Sequence, residues 1–263
     1  MWMDSNRAEV EKQSGGSLGY LHIQAMDMPS FHKFEEMLHF AGAGKKGLVI
    51  DVRENGGGST ADLLLTALTQ PVHAYTVPRG GSTPGYPQDR KIFASWTKPI
   101  VVLCNQNSFS NAEIFSHAIK TLKRGRLVGV PTAGGVISTG GTSIMDVGFL
   151  RLPFRGWYLA TNGEDLELNG AVPDVVIWPQ PGDAVDRQLS KAVELLAVDV
   201  KAYEARPLPA PREASQRGAF RGGDAMPCSG MVCATSAGFD FAQLPLPFKG
   251  CCCMKMFHLA LSK

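Results

Sequence analysis

Between Leu18 and Val200 the chain alternates short apolar runs with stretches of helical spacing. Gly47–Val52 and Pro99–Cys104 are nearly continuous apolar runs, the mark of strands buried on both faces. Tyr20–Ile23, Val72–Tyr75, Leu127–Val130, Thr142–Val147, Trp157–Ala160 and Val175–Ile177 read as further extended segments. Helices are predicted between them. One is capped by Ser30, with Phe31, Phe34, Met37, Leu38 and Ala41 on one face. Others cover Thr60–Leu68, Asn111–Lys123 and Ala184–Val198. Strands alternating with helices predict an α/β core in one layered domain. The boundaries expected are a disordered segment over 1–17, the core over 18–200 and a disordered tail over 201–263. In that tail, prolines at 207, 209 and 211 precede Gly-, Arg-, Ser- and Ala-rich sequence without periodicity.

Composition narrows the classes. A chain of 263 residues with 44% apolar and 19% charged residues is long enough to bury a core. A formal charge of +2 offers no broad basic field for nucleic acid or an anionic membrane. No apolar stretch approaches the ~20 residues of a membrane span, and residues 1–17 carry Asp4, Glu9 and Glu11 with no signal-like apolar region. The cytoplasm is therefore the default compartment. Cys104 lies in a buried run, and Cys228, Cys233 and Cys251–Cys253 match no zinc spacing. Neither metal nor cofactor is indicated.

Two turns carry the candidate chemistry. Leu48–Val52 runs out through Arg53-Glu54-Asn55 into Gly56-Gly57-Gly58, and the run ending at Cys104 passes through Asn105–Phe109 to Ser110 at the start of a helix. A helix N-terminus has unpaired N–H groups and a positive dipole end, which suits a serine nucleophile and the oxyanion its attack creates. The N–H of Asn111 is a natural oxyanion donor, and a glycine such as Gly58 lets a carbonyl approach a second. Ser110-Asn111-Ala112-Glu113 is equally a capping box that satisfies backbone donors and does nothing else. A glycine run is equally a tight turn. Arg53 and Asp51 read as bracing groups. The histidines are unconvincing as bases. His117 stands two turns beyond Ser110, His32 and His39 share a surface face, and His22 and His73 lie in predicted strands.

Four segments occur in an order that resembles the tail-specific (C-terminal processing) serine peptidases, the tricorn protease branch most closely. They are Gly19–Ile23, Val49–Gly58, Ser108–Phe115 and Glu167–Asp174. The resemblance covers about Leu18 to Val198 and implies a crotonase-like (ClpP/crotonase-type) α/β spiral. By position it implies Ser110 as nucleophile, the N–H groups of Gly58 and Asn111 as the oxyanion hole, and Glu167 as the residue that orients the base through another hydroxyl. Glu167 alone reads as a solvated loop carboxylate. The lysine of the processing-peptidase dyad is missing, with Gly135 at its place. The tricorn branch draws its histidine from a helical region before a PDZ module, and neither is found in these residues. The resemblance thus implies a partial enzyme acting on peptides or unfolded chains, with homo-oligomerisation possible. Thr76 follows Tyr75 where that branch has an acidic residue, and no carboxylate occurs until Asp89, so a neutral or apolar specificity pocket is expected. The competing reading is a non-catalytic peptide-binding or assembly module. A crotonase-like acyl-CoA enzyme lacks the basic cluster it would need.

Overall fold

The two longest apolar runs sit side by side at the middle of a parallel sheet. In the computed structural model, which describes residues 2–77, 79 and 94–211, five strands pair in parallel. They are β1 (Leu18–His22), β2 (Gly47–Asp51), β3 (Ile100–Cys104), β4 (Arg126–Gly129) and β7 (Val175–Val176), in the order β1-β2-β3-β4-β7. Val49 is in register with Val101, and Val102 with Leu127. Every residue of β2 and β3 is buried, the apolar ones as strands covered on both faces require and Asp51 in an ion pair with Arg53.

Successive side chains of these strands enter two separate cores. Leu48, Ile50, Val102 and Cys104 pack with α2 (Met28–Phe40), α3 (Ala61–Thr69) and α4 (Asn111–Thr121) through Phe34, Leu64 and Phe115. Val49, Val101, Leu103 and Val128 pack on the opposite face with α1 (Trp2–Gln13) and α5 (Arg187–Glu204) through Val10, Leu189 and Leu196. The architecture is α/β with helices on both faces of a parallel sheet. Residues Met1–Leu208 make one unit.

Several expectations are corrected. Residues 1–17 were expected to be disordered, yet Trp2–Gln13 is helical. The helix has only two inward positions, Asn6 and Val10, one turn apart. One is polar, so no apolar stripe marks it. Asn6 Nδ2 donates to the Tyr20 hydroxyl (3.1 Å), which donates to Asp51 Oδ2 (2.9 Å). The closing helix continues to Glu204, past the expected core limit at 200. The cap of α2 is Asp27, whose Oδ1 accepts the Ser30 N–H at 2.8 Å. Val72–Tyr75 joins no strand. The strand expected over Thr142–Val147 is a hairpin, β5 (Ser138–Ile144) against β6 (Gly148–Arg155). Trp157–Ala160 contributes a single bridge, Tyr158 to Asp165. Tail residues beyond 211 lie outside the described residues, as does Asp89. Among the described residues no helix is long and apolar enough to cross a membrane.

Candidate active site

Where β2 ends, a buried ion pair fixes the chain. Arg53 Nη2 lies 2.7 Å from Asp51 Oδ2, and Arg53 Nη1 lies 2.7 Å from Asp186 Oδ2 and donates to Gln188 Oε1 at 3.1 Å. Burial alone would lower the guanidinium's pKa, but the two carboxylates more than offset it and hold it above its ordinary value. Burial, reinforced by Asp51, likewise pushes the Tyr20 phenol upward. Asp51 and Arg53 are bracing groups in this structure.

Asn55, fully buried, then organises the glycine turn. Its Nδ2 donates to the Ile23 carbonyl (2.8 Å), and its Oδ1 accepts the Gly57 N–H (2.9 Å). Its carbonyl accepts the Phe109 N–H (2.9 Å). One side chain and its backbone thus tie the turn to the chain after β1 and to the residue before Ser110. Gly57 adopts φ +91° and Gly58 φ +147°. A Cβ on Gly57 would stand 2.7 Å from Ser110 Cβ and 3.0 Å from Asn111 N. A Cβ on Gly58 would stand 1.9 Å from the Met26 carbonyl oxygen. The glycine turn therefore packs directly on residues 110 and 111, although more than fifty positions separate them in sequence.

Ser110 is half-buried and holds φ +55°, ψ −118°, a backbone conformation that L-residues rarely adopt. Glu113, with no exposure at all, holds it there. Its Oε1 accepts the N–H of Ser110 (2.8 Å) and of Gly135 (2.9 Å). Its Oε2 accepts the Thr132 hydroxyl (2.6 Å) and the Gly134 N–H (2.5 Å). The Glu113 N–H finds the Ser110 carbonyl at 2.9 Å, so that amide does not depend on the serine hydroxyl. Sequence reasoning assigned Glu113 to a capping box, which is present. It missed that the same carboxylate also fastens the 132–135 loop. A buried glutamate at the third position of a helix was the only available signal.

Glu167 is brought to the far side of that loop. Its Oε2 accepts the N–H groups of Val136 (2.7 Å) and Ile137 (2.8 Å), while Oε1 has no partner among the described residues. Four successive amides, from Gly134 to Ile137, thus end on two carboxylates. The loop also touches the residue before the serine, since a Cβ on Gly135 would lie 2.2 Å from the Phe109 ring. Asn111 turns its Oδ1 to the Ala61 N–H (2.8 Å), tying α4 to α3. The backbone N–H groups of Gly58 and Asn111 have no acceptor among the described residues.

No histidine or lysine bonds the Ser110 hydroxyl among the described residues. His22 Nε2 lies 3.0 Å from the Arg53 carbonyl, and His117 Nε2 lies 2.9 Å from Thr121 Oγ1. Burial, then Lys120, lowers the His117 pKa. His32 faces Glu35. Lys120 donates to the Val172 carbonyl (2.9 Å). Cys104 is a buried thiol that burial pushes well above its ordinary pKa, which suits packing and not chemistry. Among the described residues no three His, Cys, Asp or Glu side chains are grouped to hold a metal.

A parallel α/β core that sets a strained serine against a glycine turn defines a class, and the comparisons agree with it. Residues 17–177 match the model of peptidase family S41, and the chain belongs to that family. It is 34% identical over 211 residues to tricorn protease homolog 1 of Streptomyces coelicolor, covering 80% of this chain and 19% of that protein. It is 31% identical over 207 residues to the tricorn protease of Thermoplasma volcanium, covering 77% and 20%. The crystal structure of the tricorn protease superposes with a TM-score of 0.67 at 31% identity, covering 76% of this chain and 19% of that one. The chain therefore spans about a fifth of the length of these relatives.

Proposed function

We propose that this chain is the catalytic core of a serine peptidase. Ser110 Oγ attacks the scissile carbonyl while its proton passes to a base. The N–H groups of Gly58 and Asn111 take the oxyanion, the leaving amine departs with the proton, and water then hydrolyses the acyl-enzyme. The observation that carries this reading is the packing of Gly57 on Ser110 and Asn111, with the N–H groups of Gly58 and Asn111 left without acceptors among the described residues. Strain at Ser110 supports it, because a cap alone needs no such conformation.

On this reading the base is supplied by a histidine-bearing segment N-terminal to these residues, so that the chain is a partial enzyme. Glu167 fits the part of orienting that base through a further hydroxyl, since its Oε1 has no partner among the described residues while Oε2 is held by two amides. The same reading takes the fold as a crotonase-like spiral, peptides with neutral or apolar side chains as substrates, the cytoplasm as compartment and a homo-oligomer as the working form.

A fluorophosphonate probe tests the nucleophile. Intact-mass and peptide mapping should show label on Ser110 in the wild type and none in Ser110→Ala, with faster labelling when a histidine-bearing N-terminal fragment of a tricorn relative is added. Peptide binding without labelling, with or without that fragment, would establish the non-catalytic module instead.

A further inference from the structure

A large cleft lies at the opposite pole of the sheet from Ser110. It has a volume of about 1040 Å³ and is bordered by Ile100 and Arg126, the first residues of β3 and β4. Ser110 follows the other end of β3, roughly 13 Å away along the strand. Five cations line the cleft, Lys120, Lys123, Arg124, Arg126 and Arg206, against two carboxylates, Asp174 and Asp199. Both carboxylates are engaged, Asp174 by Lys120 (3.5 Å) and Asp199 by Arg126 (2.8 Å). Three cations, five less two, are left without an acidic partner among the described residues.

Arg124 is the most unusual of the three. Its Nε donates to the Leu68 carbonyl, and its Nη2 to those of Trp96 (2.6 Å) and Lys98 (2.9 Å). Its Nη1 has no acceptor among the described residues. Burial without a carboxylate lowers its pKa to about 10. Lys123 and Arg206 are exposed at the rim, Arg206 lying 5.4 Å over the Tyr203 ring. The C-terminal turns of α3, α4 and α5 also reach this cleft, through Leu68, Leu122 and Tyr203. Their end carbonyls are already met from within the chain, those of Ile119 and Lys120 by the Arg124 and Lys123 N–H groups and that of Tyr203 by the Arg206 N–H.

We propose that this cleft is a binding site for an acidic peptide segment, separate from the Ser110 site. A peptide meets both features of the surface: its carboxylates pair with Arg124, Lys123 and Arg206, and its apolar side chains cover the exposed Leu122 and Val72. A compact phosphate meets only the first, and phosphates prefer helix N-termini. The competing explanation is that these cations merely neutralise the helix dipoles.

Fluorescence anisotropy of a labelled, acetylated and amidated peptide Asp-Leu-Glu-Asp, with the full chain, separates these. The site predicts saturable binding that weakens in ~0.2 M salt. It also predicts roughly tenfold or greater weakening in the double variant Lys123→Glu/Arg206→Glu, and no binding of the uncharged analogue Asn-Leu-Gln-Asn. Thermal melting of the double variant checks its fold. If it does not fold, the salt titration and the uncharged analogue still decide on wild-type protein. Equal binding of the two peptides, or no binding of the acidic one, overturns the proposal. So does saturable binding of inorganic pyrophosphate with the peptide silent. No readout involves Ser110, so the result is independent of the peptidase reading.

Discussion

Adding one methyl group at Gly57 puts the contact between the two turns to a direct test. In Gly57→Ala the new Cβ would stand 2.6 Å from the Phe109 carbonyl oxygen, 2.7 Å from Ser110 Cβ and 3.0 Å from Asn111 N. Two of those atoms are backbone, so no side chain can swing away to make room. Alanine at φ +91° adds about 1–2 kcal/mol of conformational strain. Overpacking adds about 1–3 kcal/mol, and the smaller unfolded-state entropy of alanine returns about 0.4–1 kcal/mol. The net expectation is a loss of roughly 1–5 kcal/mol in urea unfolding. Relief can come only by shifting Ser110 and Asn111, so Ser110 labelling by fluorophosphonate should slow by about a hundredfold, the scale of one lost oxyanion donor. Gly56→Ala is the matched control, because a Cβ there meets nothing within 4 Å. It should leave both measurements near wild type. Wild-type stability and labelling in Gly57→Ala would refute the contact.

Three further outcomes follow from the same geometry. Glu113→Gln replaces a four-donor acceptor with a group whose NH₂ faces donors, and should lower the unfolding free energy by about 3–5 kcal/mol; a loss below ~1 kcal/mol in urea titration would contradict the network. Ser110→Gly should abolish labelling yet raise stability by about 1 kcal/mol, because glycine tolerates φ +55°; an unchanged or lower urea midpoint would argue against strain there. Stability should fall as pH rises above 9.0, the ordinary thiol value, because Cys104 then loses its proton only in the unfolded chain. The slope approaches 1.4 kcal/mol per pH unit. In Cys104→Ala the decline that sets in at 9.0 should be lost, and an unchanged onset in that variant would count against thiol burial.

Legibility in the sequence followed physical range. The central strands could be read because burial on both faces demands apolar residues throughout, and Leu48–Ile50 and Ile100–Cys104 show nothing else. Turns needing positive φ were visible as Gly57 and Gly58, since few other residues adopt it cheaply. The helix over 2–13 was invisible for the converse reason. It is anchored by Asn6, Val10 and a hydrogen bond to Tyr20, too few apolar positions to make a stripe. The hairpin of β5 and β6 was missed because its Gly-, Ser- and Thr-rich first strand carries almost no hydrophobic alternation.

Local chemistry along the chain therefore settled which segments are buried, where glycine is needed and which serine opens a helix. Tertiary structure alone decided what those pieces face. The approach of Gly57 to Ser110 depends on Asn55 reaching both Ile23 and Phe109. The gathering of four loop amides depends on Glu113 and Glu167 arriving from different elements. Contacts of this kind are made by backbone groups, which every residue carries alike, so no residue type announces them in advance.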